Sequence, residues 1–204
     1  EMIFDNFLLC EYCANPLSLK SFKSRTYLKC NNCRKEIRKI NGVFDFENSF
    51  QLETKNEIYD TIWDDINKTS TLTNDNGIEK RIVRQNKKLF NQKIILDAGV
   101  GDGRHLEIIA KQDPKLIICV DLSDGIYLAK KRWQNLNSRI PIIFIKGSLE
   151  KIKFQPKSID LIWCTGVLTI ANNYLNLLRI FQSYAKESII LGLLSKNIFG
   201  KVYY

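Results

Sequence analysis

The chain has 204 residues, is 45% hydrophobic and 26% charged, and carries a formal net charge of +9. That content suits one sizeable core, or a medium domain with a small companion, and excludes a disordered chain, a collagen or a coiled coil. No apolar run approaches the roughly 20 residues that span a bilayer, and the start, Glu-Met-Ile-Phe-Asp, lacks the basic and apolar regions of a secretory signal.

Glu1 rather than Met opens the sequence, so an upstream segment is expected. The first informative feature is Cys10-x-x-Cys13, followed after sixteen residues by Cys30-x-x-Cys33. Each CxxC turn can aim two sulfurs at one ion, and two such turns complete a closed tetrahedral shell. A closed S4 shell is structural rather than catalytic. Leu17–Lys20 and Thr26–Lys29 read as short strands between the knuckles. A unit of this size buries too little core to fold alone, so bound Zn2+ is expected to supply the missing stability. Cys119 and Cys164 fall inside apolar runs and read as buried small hydrophobes. This use of cysteine fits a reducing cytoplasm better than a secreted disulfide scaffold.

Residues 1–50 hold eight Lys/Arg and six Asp/Glu. Four thiolates and one Zn2+ would bring that segment to about zero, so the positive charge lies downstream, notably along Lys80–Lys93 and Lys130–Arg132. Such charge reads first as solvated helix faces.

Leu8-Leu-Cys-Glu-Tyr-Cys-Ala-Asn-Pro-Leu17, Leu28-Lys-Cys-Asn-Asn-Cys33 and Ile40-Asn-Gly-Val-Phe-Asp-Phe46 together resemble a family of zinc ribbons. It is the family of small activator proteins of RNA and protein methyltransferases, also found fused to bacterial methyltransferases. In the family the last segment is a strand of the form IxDGIPxF; here Asn41 and Val43-Phe44 stand for Asp and Ile-Pro. The resemblance spans about residues 7–46 and implies a methyltransferase domain downstream.

Ile58, Tyr59, Ile62, Trp63 and Ile66 recur at helical spacing and predict an amphipathic helix over Glu53–Asn67. Tyr59 and Trp63 either line a pocket or cement that helix to the core. Lys68–Gly77 reads as a loop. Ile78–Phe90 predicts a second helix with Ile82, Val83 and Leu89 inward.

Ile94–Leu96 reads as a buried parallel strand. It leads through Asp97 into Gly99-x-Gly101-x-Gly103 and a helix from about Arg104 to Lys111. Glycines are needed where backbone turns sharply against a ligand. A dinucleotide GxGxxG fails here, because its third glycine falls on Arg104 or Leu106. The segment resembles the acidic-x-Gly-x-Gly-x-Gly motif of class I S-adenosylmethionine-dependent methyltransferases. That resemblance implies contacts from Asp97, Gly99, Gly101 and Gly103 to the methionine and ribose portions of the cofactor.

The later strands agree. Leu116–Asp121 ends in a carboxylate 24 residues after Asp97, suited to a ribose diol. Leu122 follows where the family contacts adenine, and Ser123 is expected to cap a helix over Ser123–Trp133. Pro141–Leu149 predicts a third strand, with Ser148 where the family carries an adenine-binding Asp and Leu149 against the ring. A hydroxyl there binds more weakly than a carboxylate. Phe154–Trp163 resembles the family's fourth strand, with Cys164, Thr165 and Gly166 near the expected methyl group. Ser188–Leu194 predicts strand five. Together residues 93–194 resemble the superfamily that includes the quinone-biosynthesis methyltransferases.

The expected fold is therefore α/β: a Rossmann-like class I methyltransferase sheet, truncated after strand five, with a small N-terminal zinc ribbon. The division is 1–48 zinc ribbon, 49–92 helical connector and 93–204 methyltransferase domain, incomplete at its C-terminus. The missing strands would hold much of an acceptor pocket. No catalytic side chain declares itself, since in-line methyl transfer needs mainly alignment and exclusion of water. Cys164-Thr-Gly-Val lacks the Asn/Asp-Pro-Pro-aromatic motif of base-amine methylation. His105 reads as structural or near the cofactor. Three functions follow: O- or C-methylation of a small-molecule or lipid-like acceptor; methylation of RNA gripped by the ribbon and a basic surface; or a non-catalytic scaffold whose ribbon docks a partner protein.

Overall fold

The computed structural model describes residues 7–47 and 78–192, the side chains of 78–80 excepted. The predicted helix over 53–67, with Tyr59 and Trp63, and the loop over 68–77 lie outside the described residues.

In the first segment, β1 (Leu8–Leu9), β2 (Leu17–Phe22), β3 (Arg25–Cys30), β4 (Glu36–Ile40) and β5 (Val43–Asp45) form a small ribbon. Strands β2 to β5 pair antiparallel in succession. The sequence suggested one strand over 40–46. Instead Asn41 and Gly42, at φ 49° and 82°, make the tight turn of a β4–β5 hairpin. An Asn-Gly pair with both residues left-handed is the chemistry such a two-residue turn requires.

The second segment begins with α1 (Ile78–Gln85) and α2 (Lys87–Phe90). One helix was expected over 78–90. It breaks at Asn86, whose side-chain amide donates to the Ile82 carbonyl at 2.8 Å. Ile82, Val83 and Phe90 are buried, as the spacing implied for the first two. Next come β6 (Ile94–Ala98), α3 (Leu106–Ala110), β7 (Leu116–Asp121), α4 (Gly125–Asn135), β8 (Ile142–Lys146), β9 (Lys153–Phe154), β10 (Ile159–Thr165), α5 (Tyr174–Tyr184) and β11 (Ala185–Gly192).

The large sheet runs β11-β10-β6-β7-β8-β5-β4-β3-β2. From β11 to β5 every pairing is parallel. The ribbon is thus not a separate bead: β5 extends the parallel sheet, with Phe44 opposite Ile145 and Asp45 opposite Lys146. A second, two-stranded ladder pairs β1 with β9, and the Gln155 amide donates to the Phe7 carbonyl at 2.8 Å.

Strand alternation sends side chains to two faces. Ile95, Ile117, Cys119, Leu161 and Trp163 pack with Phe90, Leu106, Ile109, Ile126 and Ala129 of the helices on one face. Leu96, Ile118, Val120, Ile162 and Cys164 pack on the other with Leu177 and Phe181 of α5. The same cluster takes in Leu8, Leu17, Leu28, Ile37, Phe44 and Phe46 of the ribbon. Three parallel connections carry a helix; the connection from β8 to β10 carries only β9. The ribbon fills that helix-free stretch of the second face.

Phe46 is fully buried in this shared core. Phe46→Ala is therefore expected to destabilise the whole sheet by about 3–5 kcal/mol. Chemical denaturation followed by tryptophan fluorescence checks this, because all three tryptophans lie outside the ribbon.

Candidate functional site

Four neighbouring strands, β10, β6, β7 and β8, end at one edge of the sheet. Parallel sheets place ligands there, beyond the carboxyl ends. Asp97 lies in β6 and is 2% exposed. Its Oδ2 has no hydrogen-bond partner among the described residues. Burial, and then the charge of Asp121, push its carboxyl up to about 8. A buried carboxylate oxygen without a donor is a group that awaits one.

The loop after β6 is folded tightly against β7. The amides of Gly99 and Val100 donate to the Val120 carbonyl at 2.8 and 3.2 Å. Gly99 and Gly103 sit at φ 81° and 77°. A Cβ on Gly99 would collide with the Val167 side chain, and one on Gly103 with Ala129 of α4. These glycines therefore answer to close packing as well as to the left-handed turn.

The Gly101 amide donates to Asp121 Oδ2 at 2.7 Å. Asp121 Oδ1 accepts from the amide of Ser123 at 2.8 Å and from its hydroxyl at 2.6 Å. Asp121 is thus fixed as an acceptor at the strand end, and half-buried Leu122 follows it. Ser123 was expected to cap the next helix. Its hydroxyl does accept from the Gly125 amide at 3.3 Å, but the helix starts after Asp124 and the shorter bond goes to Asp121. At the end of β8, the Gly147 amide donates to the Asp121 carbonyl at 2.8 Å. Ser148 and Leu149 are half-buried, and the Ser148 hydroxyl accepts from the Glu150 amide at 3.3 Å. At the end of β10, Thr165 Oγ1 lies 3.4 Å from His105 Nδ1.

The structure thus gathers Asp97, the glycine loop, Asp121, Leu122, Ser148, Leu149 and Thr165 along one edge. Sequence reasoning missed three supports. Asp102, 1% exposed in its side chain, is clamped by Arg104 at 3.2 Å and Arg132 at 2.9 Å. The indole of Trp163, fully buried, donates to His105 Nδ1 at 3.3 Å. Lys146, on the last residue of β8, bonds Asp124 at 2.6 Å and Glu47 at 3.0 Å. Asp102 carried a signal, as an acid inside a glycine loop, and His105 was read as structural or near the cofactor; their partners Arg132 and Trp163 are far away in sequence.

The four cysteines of the ribbon form a second centre. Their sulfurs all lie within 4.8 Å of one another, with Cys10–Cys33 and Cys13–Cys30 at 3.4 Å. A tetrahedron with Zn–S bonds of about 2.3 Å has edges of about 3.8 Å, so the cluster fits that ion. The two knuckles have the same backbone. The amides of Ala14 and Arg34 donate to the carbonyls of Cys10 and Cys30 at 2.8 and 3.0 Å, and both residues are left-handed, at φ 55° and 61°. Burial pushes the Cys10 thiol up to about 12, while the Asn15 amide draws Cys13 down to about 5. Cys119 and Cys164 are buried in the sheet; burial raises both, Cys164 to about 12. They are inert thiols, as their apolar surroundings implied.

Asp97 gives a pH signature. Its folded-state value of about 8 lies above the ordinary 3.8, so the folded protein favours the protonated form. The ligand-free protein should lose stability as pH rises from about 4 through about 8, when the buried group must ionise. Asp97→Asn should flatten that slope and be the more stable protein at pH 9, which urea denaturation across the pH range checks.

Residues 96–187 match a family model described as a methyltransferase domain. Over 83 residues the chain is 32% identical to protein arginine N-methyltransferase 1 of Dictyostelium discoideum, covering 41% of this chain and 24% of that protein. The chain thus spans about a quarter of the length of the curated relatives it matches. Among solved structures, an S-adenosylmethionine-dependent methyltransferase from Aquifex aeolicus superposes with a TM-score of 0.55 at 18% identity, covering 67% of this chain and 77% of that one. A protein from Methanococcus maripaludis assigned to the same class gives 0.54 at 22% identity, covering 70% and 66%. At these identities the likeness is one of fold. Residues 96–187 thus carry the Rossmann-like methyltransferase fold, on a sheet that continues into a four-cysteine ribbon.

Proposed function

We propose that the chain uses S-adenosylmethionine to methylate a small apolar or lipid-like acceptor on oxygen or carbon. The observation that carries the cofactor half is the pair Asp97 and Asp121 at adjacent strand ends. The Gly101 amide holds the second, and the first keeps an unpartnered oxygen. In this reading Asp97 takes the cationic amino group of the methionine portion, where pairing with a cation offsets the burial that now opposes its charge. Gly99, Gly101 and Gly103 let the backbone lie against the ligand. Asp121 accepts from the ribose hydroxyls, Leu122 and Leu149 flank the adenine, Ser148 accepts from or donates to its edge, and Thr165 borders the reacting end. Bound there, the cofactor supplies an electrophilic methyl on a sulfonium. The protein's task is alignment and exclusion of water.

The acceptor half rests on the segment after β10. Residues 166–173 read Gly-Val-Leu-Thr-Ile-Ala-Asn-Asn, without an acid. Ile170, Tyr174 and Leu175 are about half exposed, at 51%, 52% and 53%. The protein arginine methyltransferase relatives raise a protein acceptor. A guanidinium, however, needs a carboxylate to replace its water, and this segment offers none. Apolar contact suits an apolar acceptor better. RNA is the second reading. The ribbon displays Phe22 at 64% and Tyr12 at 52% exposure, with Lys23 and Lys35 over their rings, a pairing that can stack on unpaired bases. Cys10, Cys13, Cys30 and Cys33 would hold one structural Zn2+ in either case.

Asp121→Ala should lose at least about tenfold in affinity for S-adenosylhomocysteine, about 1.4 kcal/mol, by titration calorimetry. Wild type that binds zinc but not this ligand would convert the reading to a scaffold. The acceptor classes separate by methyl transfer to apolar phenols and quinols, to arginine peptides, or to RNA with a steep salt dependence. Elemental analysis should find about one zinc per chain, and Cys30→Ser should lose it with a marked fall in melting temperature.

A further inference from the structure

Lys146 stands where the ribbon and the cofactor edge meet. In the ladder it lies between Asp121 of β7 and Asp45 of β5, and Asp45 faces Arg38 of β4. One register row thus alternates in charge from the cofactor edge into the ribbon. The Lys146 side chain is only 16% exposed, and its ammonium joins two carboxylates that belong to different parts of the chain. Asp124 closes the turn Asp121-Leu122-Ser123-Asp124 between β7 and α4. Glu47 lies two residues beyond the end of β5, and its own amide donates to Asp45 at 3.0 Å. Burial opposes the charge on Lys146, yet hydrogen bonds to Asp124 and Glu47 hold it above the ordinary lysine range. The ammonium is largely buried, the Glu47 carboxylate is 25% exposed and the Asp124 carboxylate 60%, so the bond to Glu47 is the better shielded of the two. The Lys146 side chain also lies 5.9 Å from the ring centre of Tyr127 on α4. The turn is therefore anchored at one end by Gly101 and Ser123 on Asp121, and at the other by Lys146.

We infer that Lys146 is a positioning residue for the cofactor: it ties the Asp121–Asp124 turn to Glu47 of the ribbon, so that the ribbon sets the geometry of the ribose-binding carboxylate. This rests on the cofactor reading above. Lys146 does not touch the ligand in this account; it acts through Asp124 and the turn. The ribbon then contributes to cofactor affinity without lining the site, through a coupling of the size expected for residues in one hydrogen-bonded network.

The test compares wild type with Lys146→Met, Lys146→Arg and Glu47→Gln. S-adenosylhomocysteine affinity is read by calorimetry, and the ligand-free proteins are read by amide hydrogen exchange. Lys146→Met should lose about fivefold or more in affinity and Glu47→Gln a smaller factor, while Lys146→Arg retains most of it. In ligand-free Lys146→Met the amides of Gly101 and Ser123, both bonded to Asp121, should exchange faster, while core amides such as Leu96 and Ile118 stay protected. Faster exchange at the core as well marks general loosening and overturns the inference. Wild-type affinity and exchange in all three variants overturns it while leaving the cofactor reading intact. If wild type itself fails to bind, the cofactor reading falls, and unchanged exchange at Gly101 and Ser123 removes the positioning role too.

Discussion

A parallel sheet must be covered on both faces, because its strands are apolar all round. Here that rule meets a gap. The connection from β8 to β10 passes over β7 and β6 yet carries no helix, only the two residues of β9. The bare stretch is covered by the ribbon, which brings Leu8, Leu17, Leu28, Phe44 and Phe46 to the same cluster as Leu96, Ile118 and Ile145. The ribbon also removes the edge that β8 would otherwise present, since β5 pairs with it directly. On the opposite side β11 is the outermost strand among the described residues. The ribbon and the sheet thus bury one apolar cluster between them.

The chemistry of the edge follows from two carboxylates held in different environments. Asp121 accepts from the Gly101 amide and from the amide and hydroxyl of Ser123. Asp97 is sealed in the sheet, lacks a donor on Oδ2 and is pushed toward its neutral form. On the proposed reading, a cationic ligand group beside Asp97 would reverse that balance and favour its charged form.

Much of this was legible in the residues. The strands carrying Asp97, Asp121 and Thr165 at or near their ends announced themselves by apolar runs that stop at polar residues. The cysteine spacing foretold a four-sulfur cluster. What escaped the reading was long-range or conformational. At Asn86, where the helix breaks, the side-chain amide and the backbone amide both donate to the Ile82 carbonyl. The β4 strand hid because its exposed charges mask a short alternation. The pairing of β5 with β8 joins residues about a hundred positions apart, and no local pattern encodes it. Lys146 carried no local signal for the same reason: its partners come from elsewhere in the chain.

The shared ladder also bears on how such a protein could change over evolutionary time. Val43 faces the helices and Phe44 the opposite cluster. A one-residue slip of β5 against β8 would exchange those two sides. A foreign ribbon grafted onto this sheet would have to arrive in the same phase, with an apolar residue opposite Ile145 and an acid opposite Lys146. Two sequence signatures that look like interchangeable modules are thereby bound to inherit together, and drift in either is answerable to the other.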